Sequence, residues 1–129
     1  MAPVPIIQIG GTVIAAVQED LRDADALQLQ ERLTRRLEQT GARGVLIDLS
    51  VVETVDSFLG RLIHDLARAT RLLGAQTVVV GLQPAVAVTL VELGLELKGV
   101  RTALTADRGL LLLRRLLAEE KRNGRRGSY

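Results

Sequence analysis

The polar residues able to do chemistry crowd into one stretch, Asp48-Leu-Ser-Val-Val-Glu53-Thr-Val-Asp56-Ser57-Phe58. Its carboxylates, Asp48, Glu53 and Asp56, are of the kind that can hold Mg²⁺ or move protons. Either role needs a complementary nucleophile, phosphate cradle or further ligand. The chain has one histidine, His64, and no cysteine, which leaves no cysteine–histidine pair and no multi-histidine metal site. His64 neighbours Arg61 and Arg68 at helical spacing and is expected on an exposed polar face. Gly10-Gly11 is not followed by a helix, no GxxxxGK loop occurs, and the strand-to-helix junctions lack GxGxxG, so both nucleotide signatures are missing. No catalytic residue, cofactor or metal is expected.

A serine at a helix start remains. Ligand surfaces of α/β folds gather at the carboxyl ends of strands, and the 48–58 stretch leads out of a strand into a helix. In the first helical turn, free N–H groups and the helix dipole stabilise an added phosphate. A phosphate on Ser57 would add about −1.5 to −2 charges beside Asp56. The simpler role for Asp56 or Ser57 is to cap the helix, worth about 1 kcal/mol. The two roles are compatible, because a serine can cap in one state and accept phosphate in another.

The elements that must position this stretch are legible from periodicity and turn residues. Residues 4–9 and 12–18 are short apolar runs joined by Gly10-Gly11, a β-hairpin signal. Pro3 and Pro5 suit the beginning of an edge strand, because proline cannot donate to a ladder. From Asp23 to Thr40 the apolar spacing is helical, with Ala26, Leu29, Leu33 and Leu37 forming the stripe and Gly41 the stop. Residues 43–49 read as a buried strand. Ser57 to Leu73 read as a helix burying Leu59, Leu62, Ile63, Leu66 and Leu73, with Gly74 after it. The run QTVVVGL is the next strand, Pro84 opens the next helix and Gly94 follows it. A last strand near 100–104 and a helix from about Asp107 to Glu120 complete a β-β-α-β-α-β-α-β-α order. The later strands must then run parallel through right-handed crossovers, giving a mixed sheet with helices packed on it.

Composition narrows the function classes. A chain of 129 residues with 47% hydrophobic content suits one domain. Phe58 and Tyr129 are its only aromatic residues, so base-stacking platforms for single-stranded nucleic acid are absent. The formal net charge is +2, and Lys121, Arg122, Arg125 and Arg126 supply four cations, leaving residues 1–120 at −2. The body is mildly acidic, and residues 121–129 are expected to be a disordered basic tail rather than a nucleic-acid arm. The start lacks a basic segment before an apolar core, and no apolar run approaches the roughly 18 residues of a membrane span. A cytosolic location with no membrane contact is expected, and the lack of disulfides is compatible with it.

At LIDLSVVETVDSFLGRLI, residues 46–63, the chain resembles the STAS family, which includes bacterial anti-sigma-factor antagonists. Residues 74–104, GAQTVVVGLQPAVAVTLVELGLELKGVRTAL, together with VDSF, are similar to its RsbS-type stressosome scaffold proteins, over residues 4 to about 118. The resemblance implies a STAS fold over residues 1–120 and a non-catalytic scaffold. Its partners would be an RsbT-type serine/threonine kinase and RsbR-type STAS paralogues, with self-association in a large particle. It places the kinase target at Ser57, with Asp56 and Phe58 in the partner-binding surface. Simple antagonists tend to read D-S-S-G here, whereas Phe58 replaces the second serine and Gly60 falls one position later. That difference favours the scaffold over the simple antagonist, which is the alternative. A second RsbR-type phosphorylation position would correspond to Thr89, whose other role is to cap or pack in its own helix. Phosphorylation would then release a kinase held until stress.

Overall fold

Five short strands decide the architecture, because successive side chains point to opposite faces and near-continuous apolar runs in the central strands give the sheet two faces to bury. A computed structural model describes the backbone of residues 4–18, 20–95 and 100–127, with side chains as far as 124. The strands are β1 (Ile6–Ile9), β2 (Thr12–Ala16), β3 (Gly44–Asp48), β4 (Gln76–Val80) and β5 (Arg101–Ala103). They lie in the order β1-β2-β3-β4-β5, with β1 antiparallel to β2 and every other pairing parallel. The helices are α1 (Asp23–Thr40), α2 (Ser57–Leu72), α3 (Pro84–Glu92) and α4 (Ala106–Gly127). The mixed sheet and the β-β-α-β-α-β-α-β-α order match the sequence expectation. Gly10 holds φ 58 at the hairpin, and β1 is an edge strand. Pro3 lies outside the described residues.

One face of the sheet, through Val13, Ala15, Val45, Ile47 and Val79, packs against Leu29, Leu33 and Leu37 of α1 and Leu59, Leu62, Ile63 and Leu66 of α2. Val86 and Leu90 of α3 complete that core. The other face, through Leu46, Val78 and Val80, meets α4 at Leu113. A methyl group added at Gly109 would lie 2.5 Å from Val80 Cγ1 and 2.9 Å from Leu46 Cδ1, so α4 reaches the sheet only because this position has no side chain. The C-terminal part of α2 is tied to β4 by a buried contact of 2.6 Å between the Thr70 and Thr77 hydroxyls.

The structure departs from the sequence expectation at two helix ends. Leu73, expected in the core, is 51% exposed. It follows the last residue of α2 as its C-cap, and the turn at Gly74 carries it off the buried stripe. The second departure is at α4, which continues past Glu120 to Gly127, so the basic segment expected to be disordered begins as helix. No proline interrupts it, and Glu120 anchors the approach by pairing with Arg43 and accepting from Gln76 Nε2 at 3.0 Å. Lys121, Arg122 and Gly124 remain exposed, which is why no apolar stripe marked this extension. Residues 128–129 lie outside the described residues.

Two turns at the carboxyl edge of the sheet are locked together. The Leu49 N–H donates to Val80 O at 2.9 Å, extending the β3–β4 ladder by one bond. Gly81 then takes φ 72 with its Cα against Ser50. A Cβ there would lie 2.8 to 2.9 Å from the Ser50 Cβ, Cα and N. Gln83 Nε2 closes the contact by donating to Ser50 O at 3.1 Å.

Gly81→Ala should therefore cost about 3 kcal/mol, combining left-handed strain with a backbone clash. Gly10→Ala, at positive φ but with open space around it, should cost only about 1 kcal/mol. Urea unfolding midpoints of the two variants measure the difference. Truncation after Glu120 keeps the Arg43 and Gln76 contacts and should leave the thermal midpoint within a few degrees of the parent.

Candidate functional site

Asp48, at the end of β3, uses its carboxylate to hold the next turn. Oδ1 accepts the Ser50 N–H at 2.9 Å. The chain then dips inward at Val52 and Val55, both buried, while Val51, Glu53 and Thr54 face outward. The Val52 N–H donates to Leu49 O at 2.9 Å. These two apolar anchors and the Ser50–Gly81 contact fix where α2 starts.

At that start Asp56 is the N-cap. Its backbone is extended and its Oδ1 accepts the Leu59 N–H at 2.8 Å. The capping role considered for Asp56 or Ser57 thus falls to Asp56. Ser57 occupies the first helical position and is exposed, and Phe58 beside it is 37% exposed. Gly60 is buried, and a Cβ there would lie 2.6 Å from Leu95 Cδ1 and 3.1 Å from Leu90 Cδ2. This glycine lets the segment following α3 press against the first turn of α2.

The carboxylates do not converge on a metal site. Asp48 serves its turn, Asp56 serves its helix, and no cluster of three metal-ligating side chains occurs among the described residues. His64 lies seven residues after Ser57, roughly 10 Å along the helix axis at 1.5 Å per residue, too far for a serine–histidine pair. Its side chain is 34% exposed rather than fully exposed, with Nδ1 3.6 Å from Asp65 Oδ1. It lines a cavity of about 270 Å³ with Arg68, Arg71, Gln76 and Glu120. Thr89 is half-buried on α3, and its hydroxyl donates to Ala85 O at 2.9 Å. The structure does not bring Thr89 into the cavity that Ser57 lines.

What the sequence reading missed is the contribution of α1. A groove of about 500 Å³ runs between α1 and α2, with Asp23, Leu27 and Gln30 on one wall and Ser57, Phe58 and Arg61 on the other. Leu27 is 63% exposed and lies off the Leu29–Leu33–Leu37 stripe. A large apolar residue on the polar side of an amphipathic helix was the available signal. Phe58 supplies the matching apolar surface across the groove. Ser57 thus stands at the edge of a concave surface with an apolar floor and charged rims.

Comparison with known proteins identifies the fold. The STAS domain family model matches residues 4–107. A serine-to-glutamate variant of RsbS from Moorella thermoacetica is similar to the chain, with a TM-score of 0.81 at 37% identity, covering 91% of this chain and 99% of that one. A structure describing the molecular architecture of the stressosome, a signal integration and transduction hub, gives a TM-score of 0.80 at 38% identity, covering 88% of this chain and 98% of that one. The RsbT co-antagonist protein RsbRA of Bacillus subtilis is 33% identical over 85 residues, which are 66% of this chain and 31% of that protein. The chain thus spans about a third of the length of this curated relative. The matched residues include every strand, α1 to α3 and the whole Asp48–Phe58 segment, and on these grounds the chain belongs to the STAS domain family.

Proposed function

We propose that this chain is a non-catalytic stressosome scaffold and phospho-switch that sequesters an RsbT-type serine/threonine kinase and releases it when Ser57 is phosphorylated. The observation that carries this reading is Ser57 itself. It is exposed at the first position of α2, relieved of capping by Asp56, and set at the edge of the α1–α2 groove. The likeness to RsbS along nine-tenths of the chain supports transfer of the scaffold role. The relationship to the RsbR-type co-antagonist supports STAS paralogues as assembly partners. A cytoplasmic setting belongs to the same reading, and no helix among the described residues is long and apolar enough to cross a membrane.

The mechanism is a docking equilibrium. The kinase covers Asp56, Ser57 and Phe58 in the unmodified state. A phosphate of about −1.5 to −2 charges then opposes rebinding through repulsion and desolvation. A change of about 1.4 kcal/mol shifts affinity tenfold, so one dianion is enough to move occupancy. Thr89 would first have to give up its bond to Ala85 O, so Ser57 is the primary acceptor in this proposal.

With an RsbT-type kinase and Mg-ATP, mass spectrometry should locate phosphate mainly on Ser57, and phosphate elsewhere with Ser57 untouched would sink the assignment. Ser57→Ala should fold as the parent does and keep the kinase, whereas Ser57→Asp should bind it about tenfold more weakly in a titration.

The alternative is a simple anti-sigma factor antagonist that binds an anti-sigma kinase without a large assembly. Phe58 and the displaced Gly60 favour the scaffold, as does the extent of likeness to the stressosome structure. Light scattering of the chain mixed with an RsbR-type partner, at moderate salt where the Debye length is roughly 8 Å, should show a particle far larger than a dimer. A mixture that stays at monomer or dimer mass while still binding kinase selects the alternative.

A further inference from the structure

Carboxylates border the groove in which a phosphate on Ser57 would sit. Asp56 precedes it in the chain and Asp23 lies across the groove on α1, while Asp65, eight residues on and roughly 12 Å along the helix axis, lines the far end. A dianion there gains from the free N–H groups of the first turn but meets like charge from Asp56 and Asp23, which a cation would answer. Arg61 is the one cation lining the groove among the described residues. It is exposed, and neither of the ion pairs found among the described residues involves it. Ser57 and Arg61 are four residues apart on α2, a spacing that puts Cβ atoms about 5–6 Å apart on one helix face. An arginine fork reaches a phosphate at that distance with two parallel hydrogen bonds.

We infer that Arg61 is the intramolecular receptor for phosphate on Ser57, so that modification closes a cation–phosphate bridge along the α2 wall of the groove. This rests on the reading that Ser57 is the phosphorylated residue. The bridge changes what a partner meets. In the unmodified chain the groove presents a hydroxyl, the apolar surfaces of Leu27 and Phe58, and a free guanidinium. In the modified chain the guanidinium is consumed, and the carboxylates of Asp23 and Asp65 are left without a cation in the groove. Phosphorylation therefore removes an attractive group from the docking surface as well as adding a repulsive one.

The test installs phosphoserine at position 57 during translation, with no kinase present, so its outcome is independent of whether any kinase acts on this chain. Phosphorus NMR titration then gives the second ionisation of the phosphate. The parent should titrate about 0.5 unit lower than Arg61→Gln, because the guanidinium stabilises the dianion. Arg61→Lys should restore part of that shift. Arg68→Gln removes the same charge from the same helix, two turns further on, and should leave the titration where the parent has it. Equal titration of the parent and Arg61→Gln, or equal effects of Arg61→Gln and Arg68→Gln, would overturn the bridge.

Discussion

The backbone contact between Ser50 and Gly81 sets the geometry of everything downstream of it. Two parallel strands, β3 and β4, end side by side, and each must send its chain onto the helical layer without colliding with the other. The absence of a side chain at Gly81 lets the two turns touch, and hydrogen bonds from Leu49 and Gln83 close them into one unit. From that unit the chain runs through buried Val52 and Val55 to Asp56, and the start of α2 is fixed as a result. A looser contact here would leave Ser57 on a mobile loop. As built, it stands at the first position of a capped helix.

The two faces of the sheet carry unequal loads. Three helices share one core on the face behind the candidate site, whereas α4 alone packs on the opposite face. The groove beside Ser57 lies between α1 and α2, with buried Ala26 and Leu62 and the more exposed Leu27, Gln30 and Arg61 lining it. Its shape is a property of the helix pair. No single loop defines it.

Much of this was legible before any coordinates. The stripe Ala26-Leu29-Leu33-Leu37, the glycine stops and the Pro84 start gave α1 and α3 their places, and the near-continuous apolar runs gave β3 and β4 theirs. The position of Ser57 at the beginning of α2 was readable because Asp-Ser before an apolar helical run is a strong local signal. Two things were not readable. The length of α4 past Glu120 was hidden because an exposed, charged helical extension and a disordered basic tail have nearly the same composition. The α1 wall of the groove was hidden because a single-chain pattern shows which face of a helix is buried but not which other helix its outer rim confronts.

The division of labour between Asp56 and its neighbour bears on how such a chain can change over generations. A residue that both caps a helix and receives a signal is under two kinds of selection, and a substitution that abolishes the signal also risks the fold. Here the cap belongs to Asp56 and the exposed hydroxyl to Ser57. Substitution at Ser57 is therefore nearly free of cost to folding. Under the proposed function, a lineage can silence, retune or mimic the modified state at one codon, while the adjacent codon stays constrained by the helix it begins.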